Sequence, residues 1–218
     1  MDQPIEYILL ILNCKKYINK ATHQKNTWLK DHNSVKIPYF HVIGNEGLDQ
    51  EYLFDLNDLI LYVKTADDYV SLPKKVIAAY NAVIKEFSYL KYIFKTDDDQ
   101  DLKDPSSFFS NMVSVLEEKK PKVHYGGHVV DVKTPYLSNY GKIHPELPNP
   151  LIVYPTQYCS GRFYTLSIEA AKSLLQKRVS IMGECLEDYA MGYHLNPIFK
   201  KTILNIDTSA HFTDSQLK

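Results

Sequence analysis

The sequence predicts an α/β fold with a mostly parallel central sheet flanked by helices, and three observations carry that expectation. Apolar runs of strand length alternate with helical patterns through residue 99, the order that builds βαβ units. No linker or low-complexity tract divides the 218 residues, and 44% of them are hydrophobic, enough to bury one sizeable core. Three consecutive carboxylates, Asp97-Asp98-Asp99, stand directly behind one of the strand-like runs, where an open α/β sheet binds its ligands. One domain over 1–218 is expected, with a nucleotide-binding-like first half, 1–100.

Ile5 to Asn13 and Tyr39 to Ile43 read as strands, and between them Ala21 to His32 is polar with helical character and contains Trp28. Asp58 to Val63 gives another strand. Pro73 stands where a helix can begin, since its fixed φ suits the first turn. Val76, Ile77, Tyr80, Val83, Ile84 and Phe87 follow at one-face helical spacing. Tyr89 to Lys95 is β-branched and aromatic, a strand whose end delivers Thr96 and the three aspartates onto a loop. A helix from Pro105 to Glu118 and a strand from Val123 to Val130 come next. Lys133 to Pro150 is a long irregular stretch with four prolines, and it carries Tyr136, Tyr140 and His144; loops of this length are usually functional. A short strand, Arg162 to Leu166, leads to Ser167, placed to cap the helix Ile168 to Gln176. Glu187 and Asp188 open a further helix, and Thr202 to Ile206 is the final strand expected.

The net charge of −1 and a pI of about 6.7 leave no basic footprint, so nucleic acid is not an expected partner. The N-terminus, MDQPIEYILLILNC, has an apolar run of only about seven residues preceded by acids, too short for a transmembrane segment and without the basic flank of a signal peptide. Cys14, Cys159 and Cys185 are odd in number, lack metal-type spacing, and no Asn-x-Ser/Thr acceptor occurs. A reducing, cytoplasmic setting is expected; the alternative is a lumenal catalytic fragment cut from a Golgi-type membrane protein.

Three like charges in a row repel one another, and a bound divalent cation relieves them; hard oxygen ligands suit Mg²⁺, Mn²⁺ or Ca²⁺. Taken alone, the run reads first as a solvated acidic turn capping the next helix. A calcium loop beginning at Asp97 fails, because its sixth position is Leu102 in place of Gly and its twelfth Phe108 in place of Glu. A metal-dependent phosphohydrolase wants a nucleophile on the first strand, and Ile5 to Asn13 has no aspartate. Glu187 and Asp188, taken alone, complement a helix N-terminus, an effect of roughly 0.3 to 1 kcal/mol.

Six segments in order nevertheless resemble the inverting glycosyltransferases of family 31, the β-1,3-galactosyl- and N-acetylglucosaminyltransferases and the Fringe enzymes. They are Lys25-Asn26-Thr27-Trp28, His41-Val42-Ile43-Gly44, and Asp67-Asp68-Tyr69-Val70-Ser71-Leu72-Pro73-Lys74-Lys75. Then come Lys95-Thr96-Asp97-Asp98-Asp99, which carries the DxD pattern, Tyr154-Pro155 with Tyr158-Cys159-Ser160-Gly161, and Glu187-Asp188-Tyr189 with Gly192. The chain departs from the family pattern at Lys25, Pro73, Arg162 and Tyr189. The resemblance implies a GT-A-type, Rossmann-like nucleotide-sugar transferase fold, with 1–100 binding the nucleotide sugar and 101–218 the acceptor. It implies metal-dependent, inverting transfer of a hexose or N-acetylhexosamine from a UDP-sugar to a hydroxyl of a glycan or glycoconjugate, with a β-1,3 linkage and Mn²⁺ (or Mg²⁺) as the ion. Asp99, Asp97 and His211 would be metal ligands. Thr27, Asp67, Lys75, Lys95, Asp97, Asp98 and Gly161 would surround the donor. Asp188 would be the general base, with Glu187 as the alternative or as an orienting group. His211 is read either as that ligand or as a structural histidine, Trp28 either as core or as a uracil platform. Tyr136, Tyr140 and His144 are candidates to stack on acceptor sugars. A non-catalytic nucleotide-sugar or glycan-binding relative is the rival reading.

Overall fold

In the computed structural model, which describes residues 4–30, 37–215 and 217, the first strand, β1 (Tyr7–Leu12), is almost wholly buried. A strand covered on both faces reads as a continuous apolar run. A single 3₁₀ turn (Lys15–Tyr17) leads to α1 (Ile18–Asn26), then to β2 (Tyr39–Gly44) and the hairpin of β3 (Tyr52–Asp55) and β4 (Ile60–Val63). Next come α2 (Leu72–Glu86), β5 (Tyr92–Asp97), β6 (Gln100–Leu102), α3 (Pro105–Glu118) and β7 (Tyr125–Val132). The short pair β8 (Tyr136–Leu137) and β9 (Ile152–Val153) precedes β10 (Thr156–Ser167), α4 (Ile168–Gln176), α5 (Arg178–Ile181) and α6 (Glu187–His194). The chain finishes with α7 (Pro197–Lys200), β11 (Leu204–Asn205), α8 (Thr208–His211) and β12 (Phe212–Asp214).

The central sheet has eight strands in the order β11-β7-β10-β5-β1-β2-β4-β3. β5, β1, β2 and β4 are mutually parallel, as are β7 and β11, while β10 runs antiparallel to both its neighbours and β3 antiparallel to β4. This is the mostly parallel, helix-flanked arrangement that the GT-A-type expectation describes. Alternate residues of β1 divide between two core layers. Ile8, Leu10 and Leu12 join Val76, Ile77, Tyr80 and Val83 of α2. Leu9 and Ile11 join Trp28, Phe94 and the α3 side chains Phe108, Phe109, Met112 and Leu116. Each fully buried side chain of this size contributes about 1.5–3 kcal/mol. The register sets Leu12 against Asp97, so the exits of β1 and β5 open at one place. No helix among the described residues is long and apolar enough to cross a membrane.

Several boundaries differ from the sequence reading. α1 begins at Ile18, not Ala21, and stops at Asn26, where the Thr27 hydroxyl folds back on the carbonyls of His23 and Gln24. Asp31 and His32, expected in that helix, lie outside the described residues. The strand expected from Asp58 starts at Ile60, because the Asp55 side chain accepts from Asn57 and Asp58 N–H and makes a turn. β10 is twelve residues long rather than five, and its pairing with β7 slips between Cys159 and Tyr164. β12 follows the strand expected to be last and pairs with β6. Within the long stretch, β8 and β9 form their own ladder.

Candidate active site

The carboxyl ends of β1 and β5, the irregular middle of β10 and the start of α6 meet around a cleft of about 630 Å³. β1 delivers Asn13 and Cys14, the 67–75 segment Asp67, Asp68, Tyr69 and Lys75, and β5 the three aspartates; β10 delivers Tyr158, Ser160, Gly161 and Arg162, and α6 Glu187 and Asp188. Of the site residues expected from sequence, the cleft gathers Asp67, Lys75, Asp97, Asp98, Asp99, Gly161, Glu187 and Asp188. Lys95 lies directly behind them.

Lys95 is 1% exposed, with its ammonium 2.7 Å from Asp97 Oδ1 and 2.9 Å from Glu187 Oε2, and it donates to the Gly161 carbonyl at 3.0 Å. Burial alone would pull this lysine down; Asp97 and Glu187 together outweigh it and hold the group above the usual lysine range. Glu187 Oε1 accepts from the Tyr164 hydroxyl at 2.5 Å, and the Tyr164 and Tyr80 hydroxyls lie 2.7 Å apart. Glu187 thus has both oxygens engaged inside the protein. A Cβ on residue 161 would lie 3.2 Å from Asp97 Oδ2 and 3.4 Å from Lys95 Nζ, so a larger residue there would push on both charged side chains. Gly192 of α6 is tighter: a Cβ there would meet Tyr158 Cβ at 2.2 Å.

Asp188 is half-buried and faces the cleft. Its Oδ2 accepts from Gly161 N–H at 3.0 Å and its Oδ1 from Tyr189 N–H at 2.7 Å, which fixes the carboxylate plane. Burial raises its pKa, against the opposing pull of Lys95 and the two amides. Burial also pushes Asp97 up to about 6 and Asp98 up to about 7, with Lys95 and Lys20 respectively opposing the rise. Lys20 Nζ stands 3.5 Å from Asp98 Oδ1. Asp99 accepts from Gln100 Nε2 at 2.9 Å, and among the described residues no cation pairs with it. A second pair braces the same strand-end wall: Lys75 Nζ lies 2.5 Å from Asp67 Oδ1 and donates to Asn13 O at 2.8 Å, while Asp67 also accepts from Gly44 and Lys15 N–H.

Two expected residues stand apart. Thr27 commits its hydroxyl to the end of α1 and does not line the cleft. His211 sits in α8 with its ring 5.0 Å from that of Phe108, also outside the cleft. The C-terminal segment does reach the acidic loop, but through Asp214 opposite Gln100 and through Ser215 N–H, which donates to Asp99 O at 2.7 Å. Trp28 is buried among Tyr39 and Phe94, the core reading.

Among the described residues no three His, Cys, Asp or Glu side chains converge as a ready-made metal cage. A divalent ion that bridges substrate phosphates needs only one or two protein carboxylates, and Asp99, facing the cleft with no cation beside it, fits that requirement; Asp97 is already committed to Lys95. The opposite wall is aromatic: Tyr69 stacks on His144 at 3.7 Å and 7°, Tyr140 lies 6.5 Å from the same imidazole, and Tyr136 and Tyr158 complete it. Lys20, Asn13 and Tyr164 join the site without having been singled out from the sequence. Lys20 and Asn13 stand in no motif, and a strand limited to Arg162–Leu166 is too short for its alternation to show which way Tyr164 points.

Fold and cleft together define an α/β protein whose ligand site lies beyond the carboxyl ends of its parallel strands, next to an antiparallel one. The chain belongs to the galactosyltransferase family, whose model matches residues 21–202, and it is a glycosyltransferase, as its motifs implied. A search of curated proteins found no match. Among solved structures it is similar to a glycosyltransferase involved in glycosylation of the PBCV-1 major capsid, at 10% identity and a TM-score of 0.45, over 82% of this chain and 68% of that one. It is likewise similar to a glucose-1-phosphate thymidylyltransferase from Bacillus anthracis in complex with sucrose, at 10% identity and a TM-score of 0.47, over 91% of this chain and 85% of that one.

Proposed function

We propose that this glycosyltransferase moves a hexose or N-acetylhexosamine from a UDP-sugar to a glycan hydroxyl with inversion, forming a β-1,3 linkage, and that it uses Mn²⁺ held by Asp99. The observation that carries the reading is the division of labour across one cleft. Asp99 is a carboxylate without a cation at the end of β5, while Asp188 is a carboxylate oriented by two backbone amides at the start of α6. The ion, when bound, offsets charge on the diphosphate leaving group. Asp188 takes the proton from the acceptor hydroxyl as that oxygen bonds to the anomeric carbon, and the bond to UDP breaks with its electron pair going to the diphosphate. Glu187, with both oxygens engaged, orients Lys95. Asp67 and Lys75 shape the nucleoside wall, and the Tyr69–His144 stack with Tyr136 and Tyr140 receives the acceptor. This assignment does not require Thr27 or His211 at the donor.

The test is a thermal-shift panel of UDP-sugars with and without Mn²⁺. The cognate donor at 100 times its Kd should add about 2.7 kcal/mol of stability, and only with the ion present. Asp99→Ala should lose that increment while keeping its ligand-free melting temperature. An increment in Asp99→Ala equal to the parent's removes the metal from Asp99.

A further inference from the structure

Arg162 is a departure from the family pattern that the mechanism above does not use, and it lies inside the cleft. Its backbone is fixed, since the Thr96 hydroxyl donates to Arg162 O at 2.6 Å. Its guanidinium donates through Nη2 to Asp214 Oδ1 at 2.7 Å, and the two side chains are 28% and 72% exposed. The other cations at the cleft are held more deeply. Lys75 and Lys95 are each 1% exposed in their pairs, and Lys20 and Asp98 are 14% and 13% exposed. Arg162 is therefore the cation whose partner water screens most, and such a pair is held weakly.

Asp214 also accepts from Gln100 Nε2 at 3.2 Å, the same amide nitrogen that donates to Asp99 at 2.9 Å. Arg162 is thus linked, through Asp214 and Gln100, to Asp99, the one acid of the run that lacks a cation partner among the described residues. A diphosphate entering a cleft lined by Asp97, Asp98, Asp99 and Asp188 needs positive charge at that point, and a guanidinium fork matches two phosphate oxygens.

We propose that Arg162 is a ligand for the donor's diphosphate, held in reserve by Asp214: the guanidinium leaves Asp214 for the phosphate oxygens when a nucleoside diphosphate enters. This rests on the donor reading above, yet it concerns the diphosphate alone, so it can be separated from the identity of the nucleoside. Asp214 is then a competitor, and removing it tightens binding.

The experiment is calorimetric titration of UDP, and separately of inorganic pyrophosphate, at fixed free Mn²⁺ into the parent chain, Arg162→Gln, Arg162→Lys and Asp214→Asn, with melting temperatures as the folding control. Arg162→Gln should weaken both ligands about tenfold or more, with Arg162→Lys in between. Asp214→Asn should strengthen both by roughly two- to fivefold. A brace with no ligand role would make Arg162→Gln and Asp214→Asn change affinity in the same direction, which overturns the proposal, as does unchanged affinity in Arg162→Gln. Should pyrophosphate follow Arg162 while UDP does not bind the parent, the donor reading falls and the arginine assignment stands. Should UDP bind equally to parent and variants, the reverse holds. Binding of neither ligand to the parent overturns both.

Discussion

The two walls of the cleft are built from different materials. The wall we assign to the donor rests on strand ends and buried charge: Lys95 with Asp97 and Glu187, Lys75 with Asp67, both lysines 1% exposed. The wall we assign to the acceptor rests on the 136–144 segment and on rings, with Tyr136 and Tyr140 45% and 48% exposed. A buried lysine is costly to desolvate and holds its place only while its carboxylates are there. Half-exposed tyrosines on a loop keep contact area with little fixed geometry. Under that assignment, rigidity is concentrated where the leaving group would bind, and adaptability where the acceptor would arrive.

The sharpest break would come at Asp188, where the two walls meet. Asp188→Asn keeps shape and cannot take a proton, so transfer should fall roughly 10²- to 10⁴-fold with UDP affinity retained. Steady-state turnover beside a UDP titration reads both, and loss of UDP binding would move Asp188 to the donor wall. Next in size is Lys95→Met, which strands Glu187 as a buried carboxylate and leaves the 35% exposed Asp97 without its cation, and should destabilise the fold by about 3–5 kcal/mol in urea melts. A cost under about 1 kcal/mol, the range of an exposed pair, would erase the contrast between the walls.

The third prediction is one of pH. Asp98 sits at about 7 in the fold against 3.8 as its ordinary value, so the native state holds the extra proton and the parent loses stability as pH rises from 3.8 through 7. Asp98→Asn has no such slope. It should therefore gain on the order of 1–3 kcal/mol over the parent at pH 8 and little at pH 4; parallel melting curves at the two pH values would show Lys20 alone decides that site. The smallest effect is expected at Tyr140→Ala, which should raise the acceptor KM roughly two- to tenfold, the value of one aromatic contact, with kcat and UDP affinity unmoved. A change in UDP affinity there would mean that the two walls are not separate.

Both walls were partly legible in the sequence: the cleft gathers Asp67, Lys75 and the three aspartates on one side and Tyr136, Tyr140 and His144 on the other, while Thr27 stays outside it. The periodicity of Val76 to Phe87 and the run Tyr89 to Lys95 mark α2 and β5 because both are local patterns, but β5 begins at Tyr92 and keeps Thr96 and Asp97 within the strand, since the ladder with Leu12 carries it on to Asp97. The helices Pro105–Glu118 and Ile168–Gln176 have the bounds expected of them, each announced by a proline or a serine cap. What escaped depends on contacts distant in the chain. Asp214 meets Gln100 across β12 and β6, and nothing near either residue signals it. Thr27 and His211 were placed by resemblance, and each is engaged elsewhere, the threonine hydroxyl on the preceding turn and the histidine ring against the distant Phe108. Gly192 belongs to a motif whose reason is invisible in sequence: Tyr158 Cβ stands where its own Cβ would be.

The hub at Lys95 also constrains how this sequence can drift. Replacing Glu187 first leaves the lysine with Asp97 and leaves Tyr164 with Tyr80. Replacing Lys95 first leaves a buried Glu187 and a partly exposed Asp97 with no cation between them, close to a third acid at Asp188. The two orders of substitution therefore differ in stability: losing the acid first keeps the remaining charges partnered, and losing the lysine first does not until an acid is neutralised as well.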